Sequence, residues 1–176
     1  MSELRKTYEG GLFFMTLTVV GWLDVFTRPL YVNEIVKSLQ FCQEKKGFEI
    51  YAYVIMTNHI HLVAARTEGE MSDVLRDFKS FTAKQLLNLI LENPKESRKD
   101  WMEMVFKYHG TATKQNEKYA FWQKKNHPIA LWTPAVTQEK IIYIHENPVR
   151  AGYVLEPHEW YLSSACPRSP IKVLSL

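Results

Sequence analysis

Two histidines, His59 and His61, stand one residue apart in the run Tyr53-Val-Ile-Met-Thr-Asn-His-Ile-His-Leu-Val-Ala-Ala65. If that run is extended, both imidazoles point to one face and Ile60 and Leu62 to the other, because strand side chains alternate. Two neutral imidazoles so placed can converge on one divalent cation. The plain alternative is a pair of partly buried histidines satisfied by backbone or solvent. An unpaired polar group on an otherwise apolar strand is costly, which favours a role for the pair. A second signal lies far downstream, in Ile141-Ile-Tyr-Ile-His-Glu-Asn-Pro-Val-Arg150. Tyr143 and Asn147 are four residues apart and would share one helix face, with Glu146 close by. A phenol is a potential nucleophile, and an amide or carboxylate oxygen is a hard ligand. On spacing alone the same stretch is also a tyrosine at the core edge and an asparagine ending a helix before Pro148.

These groups can act only if the intervening chain folds them together. Residues 11–20 are rich in β-branched and aromatic side chains and read as a buried strand. A loop containing Pro29 follows over 24–31. Asn33 is the expected cap of a first helix, with Ile35, Val36, Leu39 and Cys42 on its apolar face and Gly47 at its end. Residues 48–56 and 59–65 form two strands joined by a tight turn at Thr57-Asn58. Ser72 is expected to cap a second helix that Asn93-Pro94 stops. Its apolar stripe includes Phe78 and Phe81, and Arg76, Lys79 and Lys84 lie on its other face. A short helix over 96–107, a polar loop over 109–118, and an extended piece near 129–132 follow. The last helix is expected over 137–145, ending near Asn147 because Pro148 follows. The tail from Val154 onward should pack back irregularly. The order strand, helix, strand, strand, helix, strand matches the βαββαβ pattern of a ferredoxin-like α+β fold. There two helices cover one face of an antiparallel sheet, and the third strand, which carries the histidine pair, is central. The opposite face is left for a site.

Bulk composition agrees with one domain spanning residues 1–176. The chain has 176 residues, 46% of them hydrophobic and 23% charged, enough for a sizeable core. A net charge of +3 and a pI near 8.8 permit a polyanionic partner without demanding one. Cys42 and Cys166 form no metal-type spacing, so thiols in a reducing compartment are expected. Met-Ser-Glu-Leu-Arg-Lys at the N-terminus lacks the apolar core of a signal peptide, and no stretch is long enough to span a bilayer. The expectation is a soluble, cytoplasmic protein with no membrane partner.

Thr57-Asn-His-Ile-His-Leu resembles the HUH motif (His, bulky apolar, His) of single-tyrosine transposases, and Tyr143-Ile-His-Glu-Asn-Pro-Val-Arg-Ala-Gly152 resembles the block that carries their nucleophile. The chain is most similar to the REP-associated tyrosine transposases, relatives of the insertion-sequence enzymes. Gly10-Gly-Leu-Phe-Phe resembles the first strand of that branch, Phe121-Trp122 the pair before its last strand, and Trp160-Tyr-Leu-Ser-Ser its C-terminal signature. The resemblance covers roughly residues 8–166. The segment between Leu91 and Tyr119 is longer than the family pattern.

The resemblance implies a metal-dependent transposase or endonuclease. Tyr143 would attack a DNA phosphodiester, form a 5′-phosphotyrosine link and release a 3′-OH; a phenol with an ordinary pKa near 10 needs help to do so. His59, His61 and Asn147 would hold Mg²⁺ or Mn²⁺, with Glu146 as the competing third ligand. The implied substrate is single-stranded DNA with a hairpin nearby, handled by a monomer or a homodimer. Arg76, Lys79, Lys84, Lys114, Lys118, Lys124, Lys125 and Arg150 are candidates for a phosphate track, and Tyr119, Phe121, Trp122 and Trp132 for base stacking. Phe81 reads as core, and His145 has no assigned role. The alternative is a domesticated nucleic-acid-binding protein without cleavage activity.

Overall fold

The computed structural model describes residues 10–112, 118–126 and 128–176. Four strands and four helices follow one another as β1 (Phe13–Thr18), α1 (Pro29–Lys45), β2 (Phe48–Ile55), β3 (His59–Arg66), α2 (Met71–Glu92), α3 (Lys99–Thr111), β4 (Ile129–Ala130) and α4 (Pro134–Arg150). The sheet is antiparallel, in the order β2-β3-β1-β4. This is the α+β ferredoxin-like arrangement expected, with α3 and α4 added to its two sheet-covering helices. The strand carrying the histidines is interior, as the topology requires.

Alternation decides which side chains meet on each face. Phe13, Met15 and Leu17 of β1, and Ile60, Leu62 and Ala64 of β3, join the larger core with Ile35 and Leu39 of α1 and Phe78 and Leu86 of α2. Burying each such leucine or isoleucine stabilises the fold by about 1.5–3 kcal/mol. The intervening residues Phe14, Val54 and Val63 point the other way. There they form a smaller cluster with Ile144 of α4, against which Ile141 and Tyr143 pack. The helix bearing Tyr143 therefore lies across the face that carries His59 and His61.

Several helix ends differ from expectation. Helix α1 begins five residues early, with Arg28 at the cap position and Pro29 in its first turn; the fixed φ of proline suits that position and its missing N–H costs nothing there. Asn33 is inside the helix, not at its cap. Helix α2 opens at Met71 after Glu70, not at Ser72. Phe81, expected in the core, is 54% exposed. Helix α3 runs to Thr111, so His109 is helical; only residues 113–117 of the expected polar loop, Lys114 among them, lie outside the described residues. The short helix expected from residue 96 begins only at Lys99.

The largest correction concerns α4, which continues through Pro148 to Arg150. A proline near a helix end removes one hydrogen bond without stopping the last turn. The true stop is Gly152 at φ 75°. Its N–H bonds the Val149 carbonyl at 2.9 Å and the Tyr153 N–H bonds that of Pro148 at 3.0 Å, a Schellman closure that needs the left-handed region. The tail then stitches itself to the outer edge of β2: Ile55 N–H bonds Leu162 O and Ser164 N–H bonds Tyr53 O, both at 2.9 Å. An otherwise open strand edge is thereby covered.

Candidate active site

The site lies between β3 and α4. The two-residue turn at Thr57-Asn58, closed by Met56 N–H to His59 O at 2.9 Å, sets the register in which His59 faces Thr18 and His61 faces Thr16 across β1. The two imidazole centroids are 4.7 Å apart. His61 is 5% exposed, with its ring stacked on Phe14 at 5.4 Å. The Tyr143 ring stands 5.3 Å from His61 and 5.9 Å from Phe14. One turn further along α4, the Asn147 side chain faces His59, close enough to raise its imidazole against the effect of burial.

Each imidazole is oriented from behind. His61 Nδ1 is 2.9 Å from Thr16 Oγ1. His59 Nδ1 is 2.7 Å from Asn58 Oδ1, and Asn58 Nδ2 donates to Asp24 Oδ1 at 3.0 Å and to the Trp22 carbonyl at 3.3 Å. With Nδ1 occupied on both rings, Nε2 is the nitrogen left to a ligand, and partners of this kind fix a ligand histidine's tautomer and angle. Burial pushes the His61 imidazole down to about 3, with the neighbouring His59 adding to the shift. Burial also lowers His59, opposed by the nearby Asn147 side chain. Neutral rings are the form that binds a cation.

Lys140, Tyr143, Asn147 and Arg150 recur at helical spacing along one stripe of α4. Lys140 Nζ sits 5.8 Å from the Phe14 ring centre and the Arg150 guanidinium 5.7 Å from that of Tyr143. Arg150 therefore stands over the phenol ring, while Lys140, paired with Glu139 at 3.2 Å, lies one turn before Tyr143 on the same stripe. Sequence reading missed Lys140, which the 3-4-3 spacing could have revealed. It also missed Thr16 and Asn58, whose partners only the register and the turn bring close. Among the described residues, no third His, Cys, Asp or Glu completes a metal-ligating group with the pair. His145 bonds Ser164 Oγ through Nε2 at 2.9 Å and so ties α4 to the tail.

The proposed phosphate track is not continuous. Arg76 pairs with Asp73 and Asp77. Lys79 Nζ donates to Gln123 O at 2.7 Å and Asn126 Oδ1 at 2.8 Å, and burial lowers its ammonium to about 8. Lys84 lines a groove between α1 and α2, on the far side of the sheet. Lys124 and Lys125 are exposed in the loop before β4, and among the described members of the group Arg150 lies at the site. Phe121 and Trp122 are 2% and 6% exposed, with Trp122 Nε1 bonded to Thr82 Oγ1 at 3.0 Å. They are core residues and cannot stack bases. Tyr119 is held by Glu103 at 2.8 Å, while Trp132 is 72% exposed.

The family model described as "Transposase IS200 like" matches residues 23–118, more than half of the 176 residues. The chain belongs to the IS200-like transposase family. The matched span holds His59 and His61, whereas Tyr143 lies beyond it. Relatives extend the likeness over almost the whole chain. A Haemophilus influenzae protein assigned to the REP-associated tyrosine transposases is 27% identical over 175 residues, covering 93% of this chain and 85% of its own. The REP-associated tyrosine transposase of Escherichia coli K12 is 24% identical, covering 93% and 82%. A solved structure of a REP-associated tyrosine transposase bound to a REP hairpin superposes with a TM-score of 0.59 over 93% of this chain and 82% of that one. At 22% identity it shows the same fold. Among the described residues of this family member, no helix is long and apolar enough to cross a membrane.

Proposed function

We propose that this transposase-family protein cuts and rejoins single DNA strands through Tyr143. The observation that carries the reading is the meeting of two distant motifs: Tyr143 and Asn147 on α4 stand against His61 and His59 on β3. The Tyr143 hydroxyl attacks a backbone phosphorus, the P–O3′ bond breaks, and the phenol proton is given up as the departing 3′ oxygen takes one. The product is a 5′-phosphotyrosine and a free 3′-OH, and the ester keeps the bond energy that rejoining to another 3′-OH requires. Arg150 stands over the Tyr143 ring and Lys140 one turn before it on α4; both would neutralise the phosphate and hold it in line.

The donor set fits a hard divalent cation. His59, His61 and Asn147 would hold Mg²⁺ or Mn²⁺, two neutral imidazoles and one amide oxygen. When bound, the cation would polarise the scissile phosphate and offset the charge that develops there. Thr16 and Asn58 keep the imidazoles in the receptive orientation.

The likeness to REP-associated tyrosine transposases supports a place in that branch and a hairpin-bearing strand as substrate. The superposed transposase is bound to a REP hairpin, which points the same way. Within one chain the Tyr143 ring already stands 5.3 Å from His61, which supports attack by the tyrosine of the same chain that holds the histidines. The test incubates the full chain and Mn²⁺ with an end-labelled hairpin oligonucleotide carrying single-stranded flanks. A denaturation-resistant protein–DNA adduct is expected, absent from Tyr143→Phe, which still binds. Cleavage by Tyr143→Phe at the parental rate would reject Tyr143 as nucleophile. Binding by the parent with no adduct would favour the domesticated, non-cleaving reading.

A further inference from the structure

Trp22 is the one residue other than glycine, among those described, whose backbone lies at positive φ, at 54°. It ends a short 3-10 turn, Val20–Trp22, directly after Gly21 at φ 62°. A bulky side chain in that region is strained, and such strain persists where the surroundings impose it, often at ligand sites. The strain here serves no burial, because the indole is 59% exposed. The ring instead stands edge-on to His59 at 5.9 Å. The Trp22 carbonyl accepts from Asn58, the residue that orients His59. Trp22 is thus an exposed aromatic surface attached to the rim of the active site.

Gly21 seats this turn against α3. A Cβ there would come within 2.8 Å of Val105 Cγ1. Helix α3 has two apolar stripes. Met102, Phe106 and Gly110 are buried. Trp101, Met104, Val105 and Tyr108 follow the i, i+3, i+4, i+7 pattern on a second face. There Trp101 is 51%, Met104 61% and Tyr108 68% exposed. With Gly21, Leu23 and His109 they line a groove of about 340 Å³ that contains no carboxylate. A helix whose second apolar stripe faces solvent next to a reactive site needs an occupant.

We propose that Trp22 and the exposed stripe of α3 form a stacking platform for the unpaired bases of a DNA strand entering the site. Two observations select that occupant. The surface is aromatic and uncharged, which suits base faces and not phosphates. It is also continuous with His59, where the strand must arrive. The proposal rests on DNA being the substrate, as argued above. Stacking is sequence-tolerant, so the platform would hold the single-stranded flank while the hairpin is read elsewhere.

Fluorescence anisotropy with the full chain and two labelled oligonucleotides tests it: a blunt hairpin, and the same hairpin with an oligothymidine tail. Trp22→Ala and the double variant Trp101→Ala/Tyr108→Ala should each weaken binding of the tailed hairpin by about tenfold. They should leave the blunt hairpin and the slope of affinity against salt unchanged, since no phosphate contact is lost. Trp22→Phe should recover most of the loss. Trp22→Gly removes the ring together with the backbone strain, and should lose tail binding with a Tm no lower than the parent's. Parental binding of the tail by the variants overturns the proposal. So does equal loss on the blunt hairpin, a fall in Tm that tracks the loss, or a change in self-association with DNA binding intact. Failure of the parent to form an adduct would defeat the cleavage reading, whereas the tail-specific binding stands or falls without it.

Discussion

Asn147 of α4 faces His59 of β3 across the gap between helix and sheet, close enough to raise its imidazole. This contact brings an amide from one sequence motif onto an imidazole from the other, and it places Tyr143 one turn back along the same helix face. Asn147→Ala removes the proposed oxygen ligand and the restraint on the His59 ring. We expect Mn²⁺ affinity, measured by calorimetry, to fall by at least about tenfold, with hairpin binding retained. Unchanged Mn²⁺ affinity would remove Asn147 from the ligand set.

The His61 imidazole gives the fold an acid sensitivity in the absence of metal. Its folded value of about 3 lies below the usual 6.5 because it is buried and adjoins His59. As pH falls below about 6.5, the unfolded chain takes up this proton and the folded chain does not, so stability declines toward pH 3. Urea titrations of chelator-treated protein should show that decline, and His61→Asn should flatten it. A variant with the parental slope would show that His61 does not titrate this way.

Glu96 supplies a second acid-sensitive element. Its side chain is fully buried, with its carboxylate bonded by Arg98 at 2.9 Å, Arg28 at 2.8 Å and the Tyr31 hydroxyl at 3.1 Å. Arg98, then Arg28, holds its carboxyl down to about 2. The contribution is complete above the unfolded value of about 4.3 and is lost as pH falls through about 2. The arginines retain 31% and 39% exposure, which moderates the cost of leaving them unpaired. Glu96→Ala should therefore destabilise by roughly 2 kcal/mol at neutral pH. A loss under about 0.5 kcal/mol would make the cluster a surface ion pair in effect.

Gly152 isolates a purely conformational term. A Cβ there meets nothing within 4 Å, yet φ is +75°. Gly152→Ala should cost about 1 kcal/mol in denaturant unfolding without any steric clash. Because the closure it forms also sets Tyr153 on Trp160 at 5.3 Å, opening it should loosen the end of α4. No loss of stability would mean that the helix ends equally well without the left-handed residue.

Much of the fold was legible along the chain. Alternation over residues 11–20 and 48–65, and the helical stripes of α1 and α2, report local geometry that each segment must satisfy wherever it packs. His59 and His61 could be placed on one face for that reason, and the Tyr143–Asn147 spacing put both on one helix side. Misreadings cluster where tertiary packing overrides local preference. Pro148 stays helical because the Schellman closure at Gly152 completes the turn beyond it. Phe121 and Trp122 read as base-stacking candidates, yet both are buried, with Trp122 bonded to Thr82. Lys79 reads as a phosphate contact, yet its ammonium is held by the 123–126 loop.

The sequence by itself determined the residue types of the site and the face each occupies on its own element, because alternation and helical spacing are local periodicities. Only the tertiary structure decided that α4 crosses the sheet so that Asn147 reaches His59, and that Asn58 and Thr16 orient the imidazoles. It also decided that Gly21 packs Trp22's turn against α3. Apart from the Asn58–His59 pair, whose geometry the tight turn and the Asp24 and Trp22 partners of Asn58 set, those relations join residues far apart in the chain, and they depend on sheet register, helix docking and close backbone approach, none of which a single segment encodes alone.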